Sequence, residues 1–352
     1  MKKKPYFKIE NRLVGEDYPP LIIPEIGINH DGSFKKAIQL IDAAKKSNAE
    51  IVKFQCHILE KEMIKTKIKP GNSKKKIWDI IKKSQLSYEE EKNIQKHCQK
   101  SKIIFISTPF SREAADRLEE MKVSCFKIGS GECNNLPLIE HIAKKKKPII
   151  LSTGMNNLKS IRESVKVIKK YDCPIAILHC TSMYPTPYKY VRMGAISVLR
   201  KKFPFAVIGS SDHSLGIETS LGAVALGASI IEKHFTINTR WSGPDNIISI
   251  TPSELKNLKN YSRNIWEALG KDLSILKEEN PVINFAYASV VTTKKIKKND
   301  FFTYDNLWVK RPGNGKILSK DFKKVIGKRA SKDIDADKQL TPSDVKVREK
   351  LK

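Results

Sequence analysis

Eight short apolar runs alternate with helix-like segments along most of this 352-residue chain, and this alternation constrains the fold more than any other feature. The intervening segments, such as FKKAIQLIDAAKKSNA and REAADRLEEM, have the spacing of amphipathic helices. Strands that alternate with helices pair in parallel, and eight such units in about 250 residues favour a closed (β/α)8 barrel, the TIM-barrel architecture, over an open doubly wound sheet. The apolar runs begin at Leu21, Ile51, Ile103, Cys125, Pro148, Ile175, Ala206 and Ser229.

The pattern changes after the eighth unit, which predicts a second domain. We expect the barrel over residues 1–271, a linker over 272–283 and a small β-rich domain over 284–352, where short strand-like pieces alternate with turn signals such as RPGNG. Within the barrel, the interval 58–102 is longer than the others. A loop of this length is usually functional, so we expect it to fold over the mouth of the barrel.

The charge of the chain is strongly positive, with 66 basic against 38 acidic residues and a net charge of +28. Most of the basic residues are lysines scattered over predicted helix surfaces, and neither a nucleic-acid-binding motif nor interleaved aromatic residues accompany them. The sequence therefore predicts no nucleic-acid partner, although the positive potential would steer anionic substrates.

Neither a membrane nor an oxidising compartment is indicated. No run approaches the roughly 18 apolar residues of a membrane span, and the basic N-terminus MKKKPYFKIENRLVG has no apolar segment behind it. The six cysteines form no C-x-x-C pair and several lie in apolar runs, so we expect free thiols. These features predict a cytoplasmic protein without a membrane partner.

The chemistry of a (β/α)8 barrel lies at the carboxyl ends of its strands, so the residues that close each run are predicted to form one site. His213 and His234 close adjacent strands, where two imidazoles can converge on one divalent metal ion. Lys53 and Lys127 interrupt apolar strands, and with the nearby hydroxyl groups they predict a site for a phosphorylated or carboxylated substrate. Glu25 is the candidate for proton transfer, unless it only pairs with a lysine.

Thirteen ordered motifs resemble the sialic acid synthases, bacterial N-acetylneuraminate synthases with a (β/α)8 barrel and a C-terminal antifreeze-like (SAF) domain. They extend from Glu25 to Gly315, which makes a chance match implausible. The motifs are EIGINHDGS, STPFSR, FKIGSGECNN, PLI, ILSTGMN, LHCT, YPTP, SDHS, LGAVALGAS, EKHF, GPD, FAYASVV and DNLWVKRPGNG.

The resemblance implies that phosphoenolpyruvate condenses with an N-acylated mannosamine-type aldehyde sugar and water to give a nine-carbon 2-keto acid and phosphate. It implies Mn²⁺, with Mg²⁺ or Co²⁺ as alternatives, on His213 and His234, beside the catalytic candidate Glu25. It also implies a homodimer in which Arg311 of the SAF domain reaches the partner's barrel. The positions that match phosphoenolpyruvate-binding residues of the family are Lys53, Thr108, Lys127, Ser130, Ser152 and Ser182. Those that match sugar-binding residues are Gln55, Glu132, Tyr184, Asp245 and Arg311.

The acceptor sugar stays open because the chain departs from the family near the pocket. Phe54 and Cys56 stand where relatives that make sialic acid often carry His and Thr, and Ser182 stands where many carry Asn. N-acetylmannosamine is the expected acceptor sugar, and a 6-deoxy diacetamido sugar, as used by legionaminic or pseudaminic acid synthases, is the alternative. Two other classes compete with the synthase: a metal-free Schiff-base aldolase using Lys53 or Lys127, and a noncatalytic binding protein.

Overall fold

The computed structural model describes residues 4–71, 73–270 and 272–346. The chain divides into two compact units, Met1–Gly270 and Lys271–Lys352. The predicted linker, 272–283, contains a short 3₁₀ helix at Lys277–Glu279 and the first residues of a helix at Asn280–Ala286. Lys271, where the predicted barrel domain ends, and residues 347–352 of the predicted second domain lie outside the described residues.

In the described part of the first unit, eight parallel strands close into a barrel, as the alternating pattern predicts. Neighbours in sequence are neighbours in the barrel, and the last strand pairs with the first, with His234 opposite Glu25. After a two-stranded hairpin of β1 (Tyr6–Ile9) and β2 (Arg12–Gly15), the barrel strands are β3 (Leu21–Gly27), β4 (Ile51–Cys56), β5 (Ile104–Pro109), β6 (Phe126–Ile128), β7 (Ile149–Ser152), β8 (Ile175–Cys180), β9 (Val207–Asp212) and β10 (Ile230–His234).

Amphipathic helices surround the barrel because their apolar faces pack on the outward side chains of the strands. In α1 (Phe34–Lys46), the buried residues Ala37, Leu40, Ile41 and Ala44 follow the spacing of one helix face. Ser87 and Glu90 form a reciprocal capping box that starts α4 (Tyr88–Lys100). The helices of this unit are α1 (Phe34–Lys46), α2 (Leu59–Glu62), α3 (Ile77–Ser84), α4 (Tyr88–Lys100), α5 (Arg112–Glu120), α6 (Leu136–Ala143), α7 (Leu158–Lys169), α8 (Ala195–Lys202), α9 (Glu218–Ala225) and α10 (Pro252–Ala268).

The lower part of the barrel is filled by apolar side chains that point inward from the strands, including Ile51 of β4 and Ile230 of β10. Phe7, Ile9 and Val14 of the hairpin pack against this cluster. The hairpin therefore closes the amino-terminal end of the barrel with apolar side chains. The upper inward positions carry polar side chains instead, which leaves the carboxyl end for chemistry.

The long interval after β4 contains the short helices α2 and α3. Met63, Pro70, Ile77, Ile80 and Ile81 of this interval line the cavity at the mouth of the barrel. The segment thus lies over the mouth, as its length predicts.

The second unit has its own small apolar core and pairs short strands, as expected for a β-rich domain. Strand β11 (Ser289–Thr292) pairs antiparallel with β12 (Leu307–Lys310), and isolated bridges such as Val291–Gln339 extend the sheet. Val290, Phe302 and Leu307 are fully buried at its centre. Helices α11 (Asn280–Ala286) and α12 (Phe322–Val325) complete this unit.

Two further predictions concern the whole chain. The six cysteines, all within the described ranges, are buried free thiols. Among the described residues, the structure contains no helix that is long and apolar enough to cross a bilayer.

Candidate active site

A cavity of about 720 Å³ opens at the carboxyl end of the barrel, bounded by strand ends and by the long segment after β4. The predicted site residues of the first unit, except Glu132, line this cavity together. They are Glu25, Lys53, Gln55, Thr108, Lys127, Ser130, Ser152, Ser182, Tyr184, His213, His234 and Asp245.

Four charged side chains form a buried cluster at the floor of this cavity. Nζ of Lys53 lies 2.8 Å from Oε2 of Glu25 and 3.8 Å from Oε2 of Glu232. Nζ of Lys127 lies 3.5 Å from Oε1 of Glu232. Because each ammonium faces a carboxylate, the cluster is balanced in charge and its burial is tolerated.

The pKa values in this cluster shift in different directions. Burial raises the pKa of Glu25, and the Lys53 ammonium opposes this rise. Burial also disfavours the charged form of Glu232, but Lys127 and Lys53 outweigh it and hold its pKa below the usual value. Burial lowers the pKa of Lys127 more than Glu232 raises it. A carboxyl group with a raised pKa is suited to proton transfer near neutral pH, which fits the role predicted for Glu25.

Hydroxyl groups surround the two ammonium groups. Lys53 donates to Oγ1 of Thr108 at 3.2 Å, and Lys127 donates to Oγ of Ser152 at 2.7 Å. Ser130 accepts a hydrogen bond of 2.9 Å from the backbone N–H of Gly154. A side chain at Gly154 would meet Oγ of Ser182 at 2.2 Å, so only glycine permits this close approach.

His213 and His234 lie side by side in the wall of the cavity, with ring centroids 5.4 Å apart. His213 Nδ1 faces the backbone oxygen of Thr181 at 3.1 Å, a contact that orients its ring. His234 Nδ1 is buried without a hydrogen-bond partner among the described residues, and burial holds the pKa of His234 well below its usual value. A neutral imidazole with an unpartnered nitrogen is the form that binds a metal ion.

The predicted sugar-binding residues fall into three groups. In the cavity, the ring of Tyr184 stacks on that of His213 with centroids 4.2 Å apart. Oδ2 of Asp245 lies 3.9 Å from Nδ1 of His234, and burial raises the pKa of Asp245 to about 6. Glu132 lies in a 3₁₀ turn after β6 and accepts from Asn135 at 2.6 Å, outside the cavity lining. Arg311 lies in the second unit, where its guanidinium is 5.7 Å from the ring of Phe285.

Several residues of the cavity wall are not among the predicted site residues: Glu232, Ser211, His57, Glu62 and Phe110. Residues two apart on a strand point to the same face, and this period could have found some of them. Glu232 stands two residues before His234, and His57 stands two residues after Gln55. The partners of these residues come from other strands and loops, which no local pattern indicates.

Asp212 and Lys233 form a second buried ion pair, on the outward face of the barrel. Lys233 donates to Oδ2 of Asp212 at 2.9 Å and to the backbone oxygen of Ser214 at 2.7 Å. Asp212 also accepts from Thr219 and Ser220 of α9, each at 2.7 Å. This network anchors the turn that carries His213, so it supports the site without lining it.

Comparisons with known proteins identify the family of the chain. The model of the NeuB family matches residues 40–274, and the model of the SAF domain matches residues 287–346. An N,N'-diacetyllegionaminic acid synthase of Campylobacter jejuni is 41% identical over 332 residues, which cover 91% of this chain and 98% of the relative. A pseudaminic acid synthase of C. jejuni is 33% identical over 336 residues, covering 93% of this chain and 97% of that protein.

A solved structure gives the same result for the fold. The N-acetylneuraminic acid synthetase of Leptospira borgpetersenii is 33% identical, with a TM-score of 0.74, and the match covers 80% of this chain and 95% of that one. The family match covers more than half of the chain, and the order of barrel and small β-rich unit agrees with it. The chain therefore belongs to the NeuB family of sialic acid-type synthases and carries a C-terminal SAF domain.

Proposed function

We propose that this protein condenses phosphoenolpyruvate with an N-acetylated aldehyde sugar and water, giving a nine-carbon 2-keto sugar acid and phosphate. The observation that carries this proposal is the buried cluster of Lys53, Lys127, Glu25 and Glu232 beside the paired histidines. The relatives named as synthases of legionaminic, pseudaminic and N-acetylneuraminic acid support it.

The phosphoenolpyruvate site consists of the two ammonium groups and the hydroxyls around them. Lys53 and Lys127 are both fully buried, so their attraction for phosphate and carboxylate is weakly screened. The hydroxyl oxygens of Thr108, Ser130 and Ser152 each accept a hydrogen bond from the protein, which fixes their positions and leaves their O–H groups to donate to the anion. As the phosphate leaves, these groups stabilise the charge that develops on it.

A divalent ion fits the paired histidines. The two imidazoles would occupy only two of its coordination positions. Among the described residues, no group of three or more His, Cys, Asp or Glu side chains could hold a metal, so His213 and His234 would share the ion with water and substrate oxygens. Glu25 and Glu232 already balance the two lysines, so an incoming phosphoenolpyruvate anion needs further positive charge. When bound, an ion such as Mn²⁺ would supply that charge and polarise the aldehyde of the sugar.

The residues of the chain position the reactants for two bond-forming steps. C3 of phosphoenolpyruvate attacks the aldehyde carbon, water adds at C2, and the C2–O bond to phosphate then breaks. We propose that Glu25, whose pKa is raised by burial, takes the proton that the attacking water loses. Gln55, Tyr184 and Asp245 line the same cavity, where they would hold the sugar's hydroxyl and acyl groups.

Two acceptor sugars are candidates, N-acetylmannosamine and 2,4-diacetamido-2,4,6-trideoxymannose. Met63, Ile77, Ile80 and Ile81 provide an apolar wall over the cavity, and this surface suits a methyl-bearing deoxy sugar. The C. jejuni legionaminic acid synthase supports the deoxy sugar, whereas the Leptospira enzyme supports N-acetylmannosamine. The chain is expected to prefer one of them clearly.

The SAF domain is proposed to act on the partner subunit. Arg311 follows β12 in a turn-rich loop, and its family counterpart contacts the N-acyl group of the sugar in the other protomer's barrel. If so, mixing Lys53→Met and Arg311→Ala proteins would restore part of the activity that each lacks alone. If the mixture regains no activity, the domain-swapped dimer is contradicted.

Metal-stripped protein incubated with phosphoenolpyruvate and each sugar, with and without Mn²⁺, tests the proposal. The expected result is Mn²⁺-dependent phosphate release with one sugar and a product of the mass of its nine-carbon keto acid. Covalent trapping of a keto acid by borohydride would indicate the Schiff-base aldolase instead. No phosphate release with either sugar would contradict the synthase.

A further inference from the structure

A buried chain of hydrogen bonds leads from Glu25 to helix α2. Nε2 of Gln55 donates to Oε1 of Glu25 at 2.9 Å, and Oε1 of Gln55 lies 3.0 Å from Nε2 of His57. Nδ1 of His57 lies 2.9 Å and 3.0 Å from the two carboxylate oxygens of Glu62. His57 is 4% exposed. Four side chains, from β3, β4, the loop after β4 and α2, thus form one connected row.

The ring of His57 is also fixed in orientation. It stacks on Phe110 with centroids 4.6 Å apart and planes within 9° of parallel. The stack, together with hydrogen bonds at both ring nitrogens, leaves the imidazole no freedom to turn. A residue held this firmly can orient its neighbour.

The donors and acceptors of the row determine where its protons lie. Glu25, ion-paired to Lys53, and Glu62 stand at the two ends, and an ionised carboxylate only accepts hydrogen bonds. The Gln55 amide must therefore turn its NH₂ toward Glu25, which leaves its oxygen for His57. Both nitrogens of His57 then face acceptors, so both must donate.

We propose that His57, protonated on both ring nitrogens and held by Glu62, is a positioning residue that locks the Gln55 amide against Glu25. The inference rests on the proposed function and deepens it. Its consequence is specific, because one N–H of the Gln55 amide is bonded to Glu25 and the second N–H is left as a donor of fixed position beside the cavity. We expect the group of the acceptor sugar that meets this N–H to accept a hydrogen bond.

The charged and titratable groups around His57 agree with an imidazolium. Glu62 is in direct contact, whereas Glu91 of α4 is a more distant carboxylate that is itself paired with Arg117 at 3.0 Å. His30 faces it from the loop after β3, and burial lowers the pKa of His30 to about 4, so His30 adds no competing positive charge.

The first test reads the protons of His57 directly and needs no activity. The full-length protein carrying ¹⁵N-histidine is examined by NMR at neutral pH, and His57→Phe assigns the signal. We expect both ring nitrogens to be protonated, one to lose its proton in Glu62→Gln, and neither to change in Glu60→Gln, an exposed acid of the same helix. A wild-type His57 with an unprotonated Nε2 overturns the proposal.

The second test separates positioning from a purely structural role. In His57→Phe, which keeps the stack on Phe110, we expect kcat to fall by about 10- to 100-fold and the KM for the sugar to rise, with the KM for phosphoenolpyruvate within about twofold of wild type. A lower melting temperature with unchanged kinetics of the folded enzyme overturns the proposal. If this variant does not fold, the same kinetic split is expected in Glu62→Gln. A wild-type enzyme inactive with every sugar would refute the proposed function, while the NMR result would still stand.

Discussion

Lys53 places its ammonium 2.8 Å from the carboxylate of Glu25, inside a barrel where both side chains are almost completely buried. The same ammonium lies 3.8 Å from Glu232. One cation therefore serves two carboxylates that contribute to the same site. Lys53 therefore contributes both to the site and to the stability of the barrel.

Replacing Lys53 by Met is expected to lower the free energy of unfolding by about 3–5 kcal/mol, because Glu25 would lose its cation inside the barrel. Urea unfolding at neutral pH measures the change. Lys46→Met, at an exposed position of α1, is the matched control and should change stability by less than about 0.5 kcal/mol. Equal stability of wild type and Lys53→Met would contradict a buried ion pair between Lys53 and Glu25.

Gly27 is predicted to be required for the contact between Glu25 and Gln55. Its φ is +52°, and an added Cβ would lie 3.0 Å from Oε1 of Glu25 and 3.1 Å from Nε2 of Gln55. Gly27→Ala should cost about 1 kcal/mol or more in stability and lower kcat, whereas Gly194→Ala, with no atom within 4 Å, should not. Turnover of Gly27→Ala equal to wild type would contradict the tight packing.

Asp212 gives a stability that depends on pH. Burial opposes its charge, but Lys233 and the surrounding donors lower its pKa from 3.8 to about 2. Because the folded pKa lies below the unfolded one, the stabilisation is present above about pH 4 and is lost as the pH falls toward 2. The difference in unfolding free energy between wild type and Asp212→Asn should shrink by about 1 kcal/mol between pH 5 and pH 3. A constant difference over this range would refute the assignment.

The paired histidines are expected to bind one divalent ion. His213→Asn and His234→Asn should each abolish tight Mn²⁺ binding in equilibrium dialysis, since neither histidine alone provides two nitrogen ligands. His141→Asn, which removes an exposed contact with Asp116 on the outer helices, should bind Mn²⁺ like wild type. If both site variants still bind Mn²⁺ tightly, the two histidines are not its ligands.

The barrel could be predicted from sequence because its strands are short apolar runs bounded by helices, and the run that begins at Leu21 starts at the first residue of β3. Strand β6 begins one residue after the start of its run at Cys125 and ends at Ile128, because the chain turns at Gly129 into a 3₁₀ helix at Ser130–Glu132. The hairpin formed by β1 and β2 was missed, since it turns through Glu10 at a φ of 51° and lacks the usual Asn-Gly signal.

The site was predictable where side chains sit at strand ends, and not where contacts cross the barrel. His213 follows β9 directly and His234 ends β10, so their proximity follows from the parallel pairing of these two strands. Glu232 meets both Lys53 and Lys127, which come from strands that do not pair with its own. Only the closed barrel brings these three residues together.

The buried cluster of Lys53, Lys127, Glu25 and Glu232 is proposed to support a condensation in which the C2–O bond of phosphoenolpyruvate breaks. Phosphoenolpyruvate labelled with ¹⁸O in the bridge between C2 and phosphorus tests this cleavage in a reaction with Mn²⁺ and the preferred sugar. We expect mass spectrometry to find the ¹⁸O in the released phosphate, because water supplies the new oxygen at C2. Label retained in the keto acid, or no phosphate release at all, would contradict it.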